Sequence, residues 1–186
     1  MSLPIQKHLF TVEEFHAMPE VFNEDDRVEL IEGEIIEMAA IGNRHMFFVN
    51  QLNDILVPQV GSLATISVQN PIRLGDLSEP QPDLVILKGR PRDYRHQSAT
   101  VPDVLLLIEV ADSTMRYDKQ IKVPLYARYG IVETWLFDLE HQVVEVFYRD
   151  PQTTGYAQLT TANATVKLSP QALKTIKVDL RELFID

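Results

Sequence analysis

Apolar positions along this chain follow two rhythms. Between residues 43 and 60, Phe48, Val49, Leu52, Ile55, Leu56 and Val60 recur at three and four. That is the period of an amphipathic helix, and Gly61 is its stop. Elsewhere the apolar residues run without interruption. Leu84-Val85-Ile86-Leu87 follows Pro82-Asp83, and Val104-Leu105-Leu106-Leu107-Ile108 precedes Glu109-Val110-Ala111. Short runs of this kind between turn residues read as buried strands.

The remaining elements are read the same way. Thr11 with Glu14 forms a capping box and predicts a helix over 12–18, stopped by Pro19. A polar loop at 23–26 precedes two short strands within 28–38, a hairpin around Glu32-Gly33. Strands are expected at 64–69, 71–74, 133–138, 143–148, 156–160 and 165–168. Residues 75–81, 88–102, 113–116 and 150–155 read as loops and turns. Residues 117–129 are helical in pattern and end at Gly130, with Pro124 either kinking the helix or opening its regular part. An apolar piece at 176–184 completes the core. The expectation is a single α/β domain over 1–186 with a mixed central sheet flanked by helices, preceded by a helix and a hairpin.

Charge and composition narrow the function. The net charge of −10 disfavours nonspecific nucleic-acid binding, which needs clustered Lys and Arg. It leaves room for a small basic patch; Lys88, Arg90, Arg92, Arg95 and His96, then Arg116, Lys119 and Lys122, are the candidates. No apolar run is long enough to span a membrane, and Met1-Ser2-Leu3-Pro4 lacks the character of a signal peptide. The absence of cysteine removes disulfides and thiolate zinc sites. A cytoplasmic location is expected.

The candidate chemistry lies between residues 82 and 126. A carboxylate inside an apolar strand is costly unless paired. Asp83 opens one central strand and Glu109 sits near the end of the other. If the strands are neighbours, both carboxylates meet at one sheet edge, and a lysine soon afterwards reaches the same place. Two acids and an amine there suit a divalent metal with an activated water. Two plainer readings stand beside it. Asp83 can simply bond a loop amide, and Glu109 can form a structural salt bridge to a buried cation.

Order and spacing then bring a resemblance. Glu29-Leu30-Ile31-Glu32-Gly33-Glu34, His45, Pro82-Asp83, Glu109-Val110, Ser113-Thr114, the series Asp118, Lys122, Tyr126, and Gly130 to Trp135 occur in that order. The pattern resembles the PD-(D/E)XK, or restriction-endonuclease-like, superfamily. More closely it resembles a mostly uncharacterised bacterial branch described as restriction endonucleases. The match covers roughly residues 10–150. One departure matters. The superfamily places its lysine two residues after the glutamate, where this chain has Ala111.

The resemblance implies a restriction-endonuclease-like core and a metal-dependent endonuclease acting on phosphodiester bonds, with DNA as substrate. Asp83, Glu109 and the Val110 carbonyl would hold Mg²⁺ or Mn²⁺, and Lys122 would supply the missing amine. Glu29 resembles an outer carboxylate of the site and His45 an extra ligand. Each also has a structural reading, as a solvated hairpin residue and a helix-start histidine. Asp118 and Tyr126 share a helix face with Lys122; Asp118 is expected to position it, Tyr126 to act there or in the core. Trp135 is expected to pack. The alternatives are a nucleic-acid-binding or assembly protein with weak or lost catalysis, and a hydrolase of another phosphate ester. A homodimer is expected, because residues 135–148 are apolar on both alternations and need a second cover, from a partner copy or from residues 176–184.

Overall fold

The structure, a computed structural model, describes residues 7–18, 27–150, 152–153 and 155–184. The expected stop at Pro19 and the polar loop at 23–26 lie outside the described residues. The helices are α1 (Val12–His16), α2 (Asn43–Val60), α3 (Met115–Tyr117), α4 (Val123–Tyr129) and α5 (Leu180–Leu183). The longer strands are β1 (Val28–Ile31), β2 (Glu34–Glu37), β3 (Thr65–Val68), β5 (Leu84–Leu87), β7 (Val104–Ala111), β8 (Glu133–Asp138), β9 (Val143–Arg149) and β10 (Tyr156–Asn163). The short ones are β4 (Ile72–Arg73), β6 (Ala99–Thr100), β11 (Lys167–Leu168) and β12 (Val178–Asp179).

Six strands form a mixed central sheet in the order β10-β9-β8-β7-β5-β3. Only β7 and β8 pair in parallel; the other neighbours are antiparallel. The two apolar runs, β5 and β7, are direct neighbours, which is the condition for their carboxylates to meet at one edge. Parallel partners cannot be joined by a tight turn. The chain therefore crosses over through α3, a π-type turn at Asp118–Lys122, and α4. Pro124 opens the regular part of α4 rather than kinking a longer helix.

Alternation along the strands assigns residues to faces. Leu84, Ile86, Leu106 and Ile108 pack against α2 through Leu52 and Leu56. Val85, Leu87 and Leu107 pack against Leu125 and Tyr126 of α4. Asp83 shares the parity of Val85, and Glu109 that of Leu107. Both acids thus belong to the α4 side of the sheet.

The hairpin β1–β2 turns through Glu32 and Gly33 at φ 51° and 81°, the pair of positive angles a tight antiparallel turn requires. A Cβ at position 33 would also lie 2.6 Å from that of Leu9. Thr11 and Glu14 form the expected capping box, though α1 ends at His16. Residues 88–102 contain 3₁₀ turns and β6 rather than plain loop. Met115 and Arg116 are already helical, where a loop was expected.

Both faces of β8 and β9 are covered by the chain itself. Ile176, Val178, Leu180 and Leu183 join Trp135, Phe137, Val144 and Val146 on one side. Ala111 and Val123 join Leu136 and Phe147 on the other. Among the described residues, the segment 176–184 therefore supplies the second cover that was expected from it or from a partner copy. No helix there is long and apolar enough to cross a membrane.

Candidate active site

The cavity at the edge where β5 begins and β7 ends measures about 660 Å³. Asp83, Glu109, Lys122, Glu29, His45, Asp118 and Val110 all line it. Antiparallel pairing places Leu84 opposite Ile108, so Asp83 and Glu109 fall at the same level of the sheet. The crossover that β7–β8 pairing demands then lays the π-type turn over that level. It carries Lys122 to the carboxylates.

Glu109 is 2% exposed. Its Oε1 accepts from Lys122 Nζ at 2.8 Å and from the Tyr126 hydroxyl at 2.5 Å. Both donors meet Oε1; Oε2 takes no hydrogen bond among the described residues. Asp83 Oδ2 accepts from the Val110 N–H at 2.9 Å, and Oδ1 lies 3.0 Å from His45 Nε2. An extended residue projects its N–H and C=O to the same side. The Val110 carbonyl therefore faces the Asp83 edge, where β5 has not yet begun.

Lys122 is 3% exposed. Besides Glu109 it meets the Gln81 carbonyl at 3.3 Å and Glu29 Oε2 at 3.5 Å. Glu29, buried in β1, also accepts from the Tyr117 hydroxyl at 3.0 Å and the Gln81 N–H at 3.0 Å. The hairpin thus contributes a carboxylate to the cluster, not a solvated one. Asp118 accepts from the Thr114 hydroxyl at 2.5 Å and makes no ion pair with Lys122. The turn that carries them is of the wider π type, and both line the cavity. Tyr126 is fully buried, yet its hydroxyl reaches Glu109.

Four carboxylates, Glu29, Asp83, Glu109 and Asp118, surround one ammonium. Burial pushes Glu109 up to about 8, with Lys122 opposing the shift. Burial also raises Asp118. Asp83 moves the other way: burial works against its charge, but His45, Lys122 and the Val110 N–H outweigh it. Burial works against the charge of Lys122 too, yet Glu109, Glu29 and Asp118 prevail and hold it charged. The hydrogen bond to Asp83 raises His45 above its usual range. His45 Nδ1 is buried with no partner.

The family model described as "Putative restriction endonuclease", Uma2, matches residues 12–181. The chain belongs to the Uma2 family. No curated protein matches. A solved structure described as a putative nuclease belonging to DUF820, from Anabaena variabilis, is similar at a TM-score of 0.68 and 21% identity over 94% of this chain and 97% of that one. The type IIG restriction endonuclease BpuSI aligns over 62% of this chain and 13% of its own at 17% identity and a TM-score of 0.39. The likeness to the Anabaena variabilis structure gives the Uma2 chain a nuclease-like fold, as the resemblance implied.

The donor set suits a hard divalent ion. Among the described residues no three acidic or histidine side chains form a ready-made cage. Mg²⁺ does not need one; it commonly takes one or two carboxylates and keeps waters for substrate to displace. Asp83, Glu109 and the Val110 carbonyl supply oxygen donors of that kind at one cavity edge.

Sequence reading missed Gln81 and Tyr117, and gave Thr114 no role beyond its place in the Ser113-Thr114 pattern. Gln81 acts through its main chain, holding Lys122 with its carbonyl and Glu29 with its N–H. No side-chain pattern announces that. Its position directly before Pro82-Asp83 is the only signal the sequence offers.

Proposed function

We propose that this Uma2 protein is a metal-dependent endonuclease that hydrolyses phosphodiester bonds, with DNA as its substrate. The observation that carries the reading is the meeting of Asp83, Glu109 and Lys122 in one cavity, from three separate elements. Asp83 and Glu109, with the Val110 carbonyl, would hold Mg²⁺ or Mn²⁺. Held by these residues, such an ion would supply polarisation of a phosphodiester oxygen and a lowered pKa for water bound to it. Lys122 keeps its charge and stands beside Glu109, where it can orient a water or offset charge developing on the phosphate. The Tyr126 hydroxyl fixes the rotamer of Glu109, and the Val110 N–H fixes that of Asp83. Glu29 holds Lys122 from the far side.

Glu109 favours a second reading to be kept beside this one. Its Oε1 already has two donors and burial leaves it protonated near neutral pH. A nucleic-acid-binding protein on a nuclease fold, its chemistry lost, would keep such a network as structure. Incubating single-stranded and duplex DNA and RNA with Mg²⁺ or Mn²⁺ separates the two. The nuclease reading expects cutting that Asp83→Ala abolishes; binding without cutting supports the second.

A further inference from the structure

The cavity is larger than one phosphate and its counterions require. At about 660 Å³ it falls within the size range of small-ligand pockets. The acids account for one part of it. Another part is apolar: Ile36, Met38, Ala39, Ala40 and Ile41, from β2 and the linker to α2, line it together with Ile121 of the π-type turn. Ile41 and Ile121 are 41% and 43% exposed. Exposed apolar side chains beside an acid cluster add nothing to metal chemistry and mark a binding surface. The half-buried Tyr117, its hydroxyl tied to Glu29, adds an aromatic ring to the same lining.

The charge around the cavity argues against a long stretch of duplex. A protein that grips a duplex aligns Lys and Arg along its phosphates. Here Arg27, Arg116 and Lys122 are outnumbered by acidic side chains among the lining residues, and Lys122 is committed to Glu109 and Glu29. Affinity must come from something other than phosphate neutralisation. A nucleobase outside the stack supplies it, because any base has a face that packs on apolar and aromatic side chains.

We propose that the apolar part of this cavity takes one unstacked nucleobase beside the scissile phosphate, so that the substrate is nucleic acid with unpaired nucleotides rather than intact duplex. The proposal rests on the phosphodiesterase reading above for the phosphate's place. Its test does not need cutting. Fluorescence anisotropy with Ca²⁺ compares a labelled single strand, the same sequence as a blunt duplex, and that duplex with one unpaired nucleotide. The single strand and the bulged duplex should bind about tenfold more tightly than the blunt duplex. Replacing Ile41 and Ile121 together by Ser should remove about a tenfold preference. Both are surface residues, and circular dichroism checks that the variant folds. Leu63→Ser, at a residue 61% exposed and outside the cavity, should change nothing.

Tighter or equal binding of the blunt duplex, a double variant that binds like the parent, or no binding of any probe overturns the proposal. Cutting is scored separately with Mn²⁺. Probes bound in the expected order and never cut remove the nuclease reading and keep the base site. All three probes cut at one rate, with the double variant unaffected, keep the nuclease and remove the base site.

Discussion

Two glutamates in adjacent strands are equally buried and do different things. Glu109 in β7 and Glu133 in β8 are each 2% exposed, and burial raises the pKa of both. Glu133 is closed. Its Oε1 accepts from Trp135 Nε1 at 2.8 Å and its Oε2 from the Gln171 N–H at 2.7 Å, both neutral donors within the protein. Glu109 is open. Its donors crowd one oxygen, three further carboxylates stand nearby, and it lines a cavity. Burial and a raised pKa therefore mark a costly carboxylate, not a functional one. The distinction lies in the cavity that Glu109 lines and in the charged donor it meets there.

Substitutions can break that comparison. Asp83→Ala should reduce cleavage on the order of a thousandfold, since metal stabilisation of the transition state is worth several kcal/mol. Gel assays of DNA cutting measure it, and cutting at the parental rate would end the assignment. Lys122→Met should cost about 3–5 kcal/mol of stability, because it strips the cation from a buried acid cluster. Urea denaturation measures this; a loss under about 1 kcal/mol would show that the cluster simply protonates. Glu133→Gln should cost less, about 1–3 kcal/mol, by turning an amide N–H towards a donor. Its cutting rate should stay parental, and a large drop would deny that Glu133 is only structural.

The smallest effect is on pH dependence. The folded pKa of Glu133 lies above the usual 4.5. The folded state then holds the extra proton, so the contribution of Glu133 is greatest below the unfolded value and is lost as pH rises through the raised one. The stability gap between the parent and Glu133→Gln should narrow with rising pH. A gap that widens would reverse the sign.

Local chemistry was legible where it is written in adjacent residues. The capping box at Thr11, the Glu32-Gly33 turn, the period of α2 and the apolar runs of β5 and β7 each carry their cause within a few positions. Asp83 and Glu109 were legible because a charge inside an apolar run is anomalous. What connects them was not. The α-helical spacing of Asp118, Lys122 and Tyr126 implied one face but not their partners: Asp118 takes the Thr114 hydroxyl, while Lys122 and Tyr126 both reach Glu109. Gln81 contributes main-chain atoms, and Tyr117 reaches Glu29 across a long sequence separation. The length of β10 is set by its pairing along β9, so its own residues indicated a shorter strand.

The central claim is that the open carboxylate, not the closed one, serves a metal. Calorimetric titration of Mn²⁺ near pH 8, where Glu109 gives up its proton, tests it most directly. Binding must expel that proton, so affinity should fall as pH drops below about 8. The account predicts that the parent and Glu133→Gln bind Mn²⁺ alike and that Glu109→Gln loses at least about tenfold in affinity. Equal Mn²⁺ binding by Glu109→Gln and the parent would contradict it.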